Sequence, residues 1–492
     1  MQRIAKRKVM MVTMLGVTTM FAACSKDTPG SLEDQSAAVT VKSLSLSAFS
    51  DGQQTVGGLE DGVYSLQFFA KGDGQGYVEA SGKKTALACS PTVLTEGFVR
   101  GVEVSGGSVT VSLKDADVSQ FAAMRLVKSD KPFALLKGGD ISELTLVEQN
   151  GGKYYQDGQQ GDCVELLKRN GMNLVRLRLY NEPGRYAYQV DGADQELPAG
   201  IQDEADILAL AKRAKAQGMQ ILLTLHYSDF WSNGGTQIIP HAWEQMDAAT
   251  MRQALYDFTY QFMEKMKAQG TVPEYVSLGN ETQAGMLYPL GGPLDAKDPD
   301  YWTKVSNLAD FYNAGYDAVK ASNSGTKVII HLAGAGDKDT NNWYFELMKQ
   351  QGVKYDVIGA SYYPFWTGRD AKTVCQWAEY VTDKFDKDLL FMEVGYAWQQ
   401  KTHDGYDGQL SHNWPYTDMS QEGQKNFMLE LTNEIKKVKN QRVLGYVYWD
   451  PIFIPAGTAG WVVGGPNIVS NSALFDFEGN ALPVFDAFRN NN

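Results

Sequence analysis

The sequence predicts an α/β protein: a (β/α)8 TIM barrel preceded by a small all-β, sandwich-like domain. Three observations carry that reading. Eight apolar, β-rich runs recur from Phe133 onward, with helical-period segments between them. These runs are almost continuously apolar, as strands of a parallel sheet covered on both faces must be. Upstream, over residues 41–128, the text consists instead of short alternating runs between Gly-rich turns.

The N-terminal 23 residues have the form of an export signal. Arg3, Lys6, Arg7 and Lys8 make a positive end, and residues 9–23 are apolar but short for a membrane span. The stretch closes with Phe21-Ala22-Ala23-Cys24, which resembles a bacterial lipoprotein cleavage box. Cleavage there makes Cys24 the first mature residue and the site of a lipid. A plain secretory signal in which Cys24 is incidental is the alternative. The expectation is a secreted protein, lipid-anchored to the bacterial outer membrane on its periplasmic or cell-surface face. Residues 24–40 are small and polar, as a tether between lipid and folded protein would be.

Residues 41–128 read as the β-sandwich, with runs such as VYSLQFFA, GFVRGVEV and GSVTVSLKD. They contain no histidine and no acidic cluster in an apolar setting. A spacer or stabilising module fits this composition, with glycan binding as the alternative. Cys89, Cys163 and Cys375 remain beyond Cys24, an odd number without metal-type spacing. Cys163 and Cys375 fall in helix-like segments and read as small buried hydrophobes.

Residues 129–492 read as the barrel. Its strand runs are FALLKGGDIS, NLVRLRLY, QILLTLHYSD, EYVSLGNE, KVIIHLAG, YDVIGASYYP, LLFMEVGYAW and RVLGYVYWDP. Segments such as DEADILALAKRAKAQG and MRQALYDFTYQFMEKMKAQG lie between them, with Asp or Ser before and Gly after as start and stop signals. A doubly wound sheet would need a Gly-rich phosphate turn after an early strand, and KGGDIS is not followed by one. The net charge of −13 repels phosphate backbones and argues against a nucleic-acid partner.

In such a barrel the active site forms where the strands end. Those ends carry Arg176, Arg178, Asn181, His226, Asp229, Asn280, Glu281, Tyr362, Tyr363, Glu393, Trp449 and Asp450. Polar groups set in apolar strands cost free energy unless they are partnered or used. Glu281 after VSLGN and Glu393 inside LLFMEVGY are the most conspicuous. Two carboxylates about 5–5.5 Å apart are what a retaining glycosidase requires. Buried ion pairing with Arg176 or Arg178 is the structural alternative for either one alone.

The motifs KGGDIS, GMNLVRLRLYNEP, LHYSDFW, SLGNETQAGMLYP, YDVIGASYYPFW, MEVGYAW, YVYWDP and NSALFDFEGN resemble glycoside hydrolase family 53, the endo-β-1,4-galactanases of clan A. The resemblance runs from about residue 133 to 488 and implies that Glu281 is the acid/base and Glu393 the nucleophile. It also implies β-1,4-galactan as substrate. Asn280 would then bond the sugar 2-hydroxyl, and Arg176 would hold Glu393 ionised. Tyr363, or failing that Tyr362, would bond the nucleophile, and His226 would touch the sugar being cleaved. Trp231, Trp366, Trp398 and Trp449 are candidate stacking faces, of which two or three are expected to touch ligand. Bacterial relatives can hold structural calcium near the last strand loops. The corresponding stretch here, KTHDGYDGQLSHNW, offers Asp404 and Asp407 as hard oxygen ligands, with a solvated loop as the other reading. No cofactor is required by the chemistry, and a monomer is expected.

Two rivals share much of this reading: another clan A endo-β-glycanase with different subsites, and a non-catalytic surface glycan-binding protein. A third reading makes the β-domain the main polysaccharide-binding unit. The lipid reading has its own test. Cys24→Ala is expected to move the protein from the membrane to the soluble fraction, whereas continued membrane association would place the anchor elsewhere.

Overall fold

The structure, a computed structural model, describes residues 41–72, 76–87, 90–128, 135–190 and 192–489. The export signal, the tether, Cys24, Cys89 and the junction at 129–134 lie outside the described residues. No helix among the described residues is long and apolar enough to cross a membrane.

Eight parallel strands close into a barrel, labelled here within the barrel alone: β1 (Leu136–Asp140), β2 (Leu174–Leu179), β3 (Gln220–Leu225) and β4 (Tyr275–Leu278), then β5 (Lys327–Leu332), β6 (Val357–Tyr362), β7 (Asp388–Val394) and β8 (Val443–Tyr448). Each strand pairs with its neighbour in sequence, and β8 closes on β1. The helices between them start where the sequence supplies a side-chain acceptor. Asp203, Asp247 and Ser420 cap the helices Glu204–Ala216, Ala248–Ala268 and Gln421–Lys437 by accepting backbone N–H groups of the first turn.

Two apolar layers follow from the continuous strand sequences. Side chains alternate across a strand, so one set fills the barrel and the other meets the helices. Leu136, Leu174, Leu222, Ile329, Val357, Leu390 and Leu444 belong to one cluster inside the lower barrel. A much larger cluster joins the outer strand faces to the helices. Above the inner apolar layer the same strand faces turn polar, and that change makes the site.

The sandwich has two four-stranded sheets. One runs in the order Val41–Ser43, Phe121–Lys128, Gly62–Gly72, Ser90–Val104, and the other Gln53–Gly57, Ser108–Lys114, Tyr77–Ala80, Lys83–Ala86. The sandwich touches the barrel at the N-terminal ends of the barrel strands. Ser65 Oγ donates to Gln441 Oε1 at 3.1 Å, and Phe98 and Val127 join the barrel's outer core. A cavity of about 350 Å³ remains at this junction, lined by Lys83 and Arg100 on one side and Tyr275 and Asp388 on the other. This end is opposite the C-terminal strand ends, so the sandwich supports the floor of the barrel rather than its mouth.

Candidate active site

Strand alternation and one irregularity aim the polar groups. On β2, Leu174 faces the interior cluster, and two and four residues later Arg176 and Arg178 rise on the same face. Both guanidinium groups are fully buried. On β7, strict alternation would send Met392 inward and Glu393 outward to the helices. The pairing of β6 with β7 instead slips, from Ala360 opposite Phe391 to Ser361 opposite Glu393. This bulge turns Glu393 into the mouth beside Ser361. After β4, Gly279 takes φ +78°, where an added Cβ would lie 2.6 Å from Thr282, and Glu281 itself sits at φ +50°. The loop is pinned by Gln237, whose Nε2 donates to the Asn280 carbonyl at 2.8 Å.

Arg176 joins these strands. Its Nη1 donates to Glu393 Oε1 at 2.6 Å, its Nη2 to Asn280 Oδ1 at 2.7 Å, and its Nε to Thr224 Oγ1 at 3.0 Å. Tyr363 Oη donates to the other oxygen of Glu393 at 2.9 Å. Across the mouth, Ser361 Oγ donates to Glu281 Oε1 at 2.6 Å, and His331 Nε2 lies 2.8 Å from that hydroxyl. Ligand atoms of Glu281, His331 and Glu393 all lie within 4.8 Å of one another. The two carboxylates are therefore close enough to act on one atom from two sides. Their surroundings differ. Desolvation, followed by the charge of Glu393, pushes the Glu281 carboxyl up to about 7. Glu393 has a guanidinium and a phenol hydroxyl to satisfy it.

A second cluster sits beside the first. Arg178 meets Asp140 and Asp450 at 3.1 Å and also pairs with Glu143. Burial pushes Glu143 up to about 7 and drives Asp450 well above the ordinary range. The same guanidinium lies 4.7 Å from the Trp231 ring and 4.4 Å from that of Trp449. Trp461 donates from Nε1 to Asp450 Oδ2 at 3.0 Å, and Trp231 Nε1 donates to the Trp461 carbonyl at 3.2 Å. Three indoles thus form one wall held by buried charge.

The resulting cleft holds about 640 Å³ and is lined by Asn280, Glu281, Tyr363, Glu393, Trp231, Trp366, Trp449 and Trp461 among others. Arg176 lies beneath that lining. His226 is also below it, packed 4.3 Å from Tyr180, with both ring nitrogens and the Trp449 Nε1 buried and without a protein partner. Burial and the two arginines hold the His226 imidazole well below its usual range, so it is neutral.

Four further predicted positions fall outside the cleft. Tyr362 has the opposite parity to Ser361 and Tyr363, so its ring packs against Phe391 and Phe427 and its hydroxyl donates to the Arg369 carbonyl. Trp398 is buried against Phe477 with its Nε1 donating to Ala473 O. Asp404 lies 2.8 Å from the His403 ring and Asp407 2.8 Å from Lys401. Calcium takes several oxygens turned to one point, and among the described residues neither carboxylate belongs to a converging group of three acidic, imidazole or thiol ligands. Ser361, His331 and Trp461 are site residues that strand-end reading does not select.

The sequence model of glycosyl hydrolase family 53 matches residues 136–488. An endo-beta-1,4-galactanase of Bacillus subtilis is 28% identical over 82% of this chain and 94% of its own. An arabinogalactan endo-beta-1,4-galactanase of Cellvibrio japonicus is 29% identical over 74% of this chain and 92% of its own. Among solved structures, the family 53 catalytic domain of Ignisphaera aggregans superposes with a TM-score of 0.66 at 32% identity, covering 72% of this chain and 95% of that one.

Of the two causes that raise Glu281, only the neighbouring charge can be removed by one substitution. Glu393→Gln is therefore expected to lower the Glu281 titration from about 7 toward its ordinary 4.5, read by carboxyl-carbon NMR of glutamate-labelled protein. A midpoint that stays put or rises would contradict the closeness of the two groups.

Proposed function

The chain belongs to glycosyl hydrolase family 53, and from that premise we propose that it is a retaining endo-β-1,4-galactanase with Glu393 as nucleophile and Glu281 as acid/base. It is a glycoside hydrolase, and the names of its relatives from Bacillus subtilis and Cellvibrio japonicus support galactan as the polymer. One observation carries the mechanism: two carboxylates with oxygens within 4.8 Å of each other, one of which, Glu281, is pushed up to about 7 by burial and then by the charge of Glu393. Inverting enzymes need about 6.5–9.5 Å to fit a water between theirs.

In the first step the Glu393 carboxylate attacks the anomeric carbon while Glu281 gives its proton to the departing glycosidic oxygen. The bond to the leaving sugar breaks and an ester to Glu393 forms. In the second, Glu281, now a carboxylate, takes a proton from water as its oxygen attacks the same carbon, releasing Glu393. Arg176 and Tyr363 keep the Glu393 oxygens oriented through both steps. Asn280 gives one amide hydrogen to the Ser232 carbonyl, which leaves the other for the sugar 2-hydroxyl. Trp231, Trp366 and Trp449 offer the pyranose rings apolar faces.

Glu393→Ala is expected to abolish turnover with the fold retained. Glu281→Ala should slow polymer cleavage by ~10²–10⁴-fold yet largely spare aryl glycosides whose leaving group needs no proton. In the wild type, kcat/KM should fall above pH 7 as Glu281 loses its proton. Sugar release should occur from linear β-1,4-galactan and not from β-1,4-mannan or xylan. Full activity in either variant would remove that residue from its role, and cleavage of mannan or xylan alone would overturn the substrate.

A further inference from the structure

Beyond the cleft, the aromatic lining continues onto a surface that packing does not explain. Trp366 lines the cleft yet is 63% exposed. It stands on the one-turn helix Pro364–Thr367, edge-on to Phe365 at 4.4 Å. On its other side Phe365 meets His412 at 4.3 Å. The His412 Nδ1 accepts the backbone N–H of Trp414 at 3.3 Å, and Trp414 is 62% exposed. A Cβ built on Gly368, which caps that short helix in the left-handed region, would lie 3.8 Å from the Trp414 ring. The loop that carries Trp414 is fastened on both sides. Asn413 is buried and exchanges two hydrogen bonds with the Ala397 backbone, at 3.0 and 2.7 Å. Tyr416 Oη accepts from Ala371 N at 2.9 Å and donates to Glu430 at 3.0 Å.

An indole held on an anchored loop and 62% exposed leaves most of its apolar face in water in the free protein. It suits a ligand with flat apolar patches, and its rigidity lowers the ordering cost of binding one. We propose that Trp414 forms an outlying sugar-binding subsite that receives the same polysaccharide chain after it leaves Trp366, stacking a pyranose ring about the far end of the cleft. The occupant follows from continuity: the strip begins inside the cleft at Trp366 and runs outward through Phe365 and His412 to Trp414. Trp302 and Trp343, the other strongly exposed indoles, stand on the outer helices Tyr301–Ser322 and Lys338–Gln350 and lack such continuity. The inference rests on the galactanase reading above.

The test compares kcat/KM on linear β-1,4-galacto-oligosaccharides of increasing length and on polymeric galactan for the wild type, Trp414→Ala and Trp414→Phe. With Trp414→Ala the ratio of polymer to shortest cleavable oligomer should fall about 5–10-fold, the equivalent of roughly 1 kcal/mol of lost stacking, chiefly through KM. Trp414→Phe should recover most of it. An unchanged ratio in a wild type that does cleave galactan overturns the subsite alone. A wild type that leaves galactan intact overturns the function and the ligand with it. An unchanged ratio with loss of a dimer in sedimentation assigns the indole to self-association instead.

Discussion

Two guanidinium groups buried on a single strand, Arg176 and Arg178, organise everything at the mouth of this barrel. Removing an ion from water is costly, and a buried pair is worth keeping only when each charge is met with good geometry. Arg176 meets that demand by gathering groups from different parts of the barrel: Thr224 on β3, Asn280 beyond β4 and Glu393 on β7. Loss of one partner from such a buried pair typically costs about 3–5 kcal/mol, so the Glu393 carboxylate and the fold around it are held by the same bonds. Arg178 repeats the arrangement with Asp140, Glu143 and Asp450, and its flat face also fixes Trp231 and Trp449. The indoles and carboxylates that line the cleft thus share one electrostatic foundation.

That foundation also separates two chemically identical groups. Glu393 has Arg176 on one oxygen and Tyr363 on the other. Glu281, across the mouth, accepts from the Ser361 hydroxyl at 2.6 Å and faces the charge of Glu393 in a desolvated setting. Burial first, and then the charge of Glu393, pushes the Glu281 carboxyl up to about 7, which suits it to the acid's part in acid-assisted nucleophilic displacement. The bulge in β7 is the backbone element behind it, since without the slip at Ser361 the Glu393 side chain would point into the helix layer.

Much of this was legible in the strands. Eight apolar runs specify a covered parallel sheet, and Arg, Asn and Glu at their ends mark the mouth because such groups have no apolar partner to excuse them. The misses have physical reasons. Tyr362 and Tyr363 are adjacent, and only the parity of β6 decides which one enters the cleft. Ser361 and His331 are the next-to-last residues of β6 and β5, one position short of the strand ends; the inward i, i+2 rows through Val357 and Ile329 would have pointed to both. Trp461 lies in the loop after β8, and no periodicity places a loop residue.

The claim on which the rest turns is that the two carboxylates stand at the short separation of a double displacement. Proton NMR of the sugar products, recorded in the first minutes of galactan hydrolysis before mutarotation, reads this directly. The account predicts that the newly formed reducing ends appear first as the β anomer and only later equilibrate. Initial α anomers would mean a single displacement by water, and would contradict the assignment of Glu393 as a nucleophile held by Arg176.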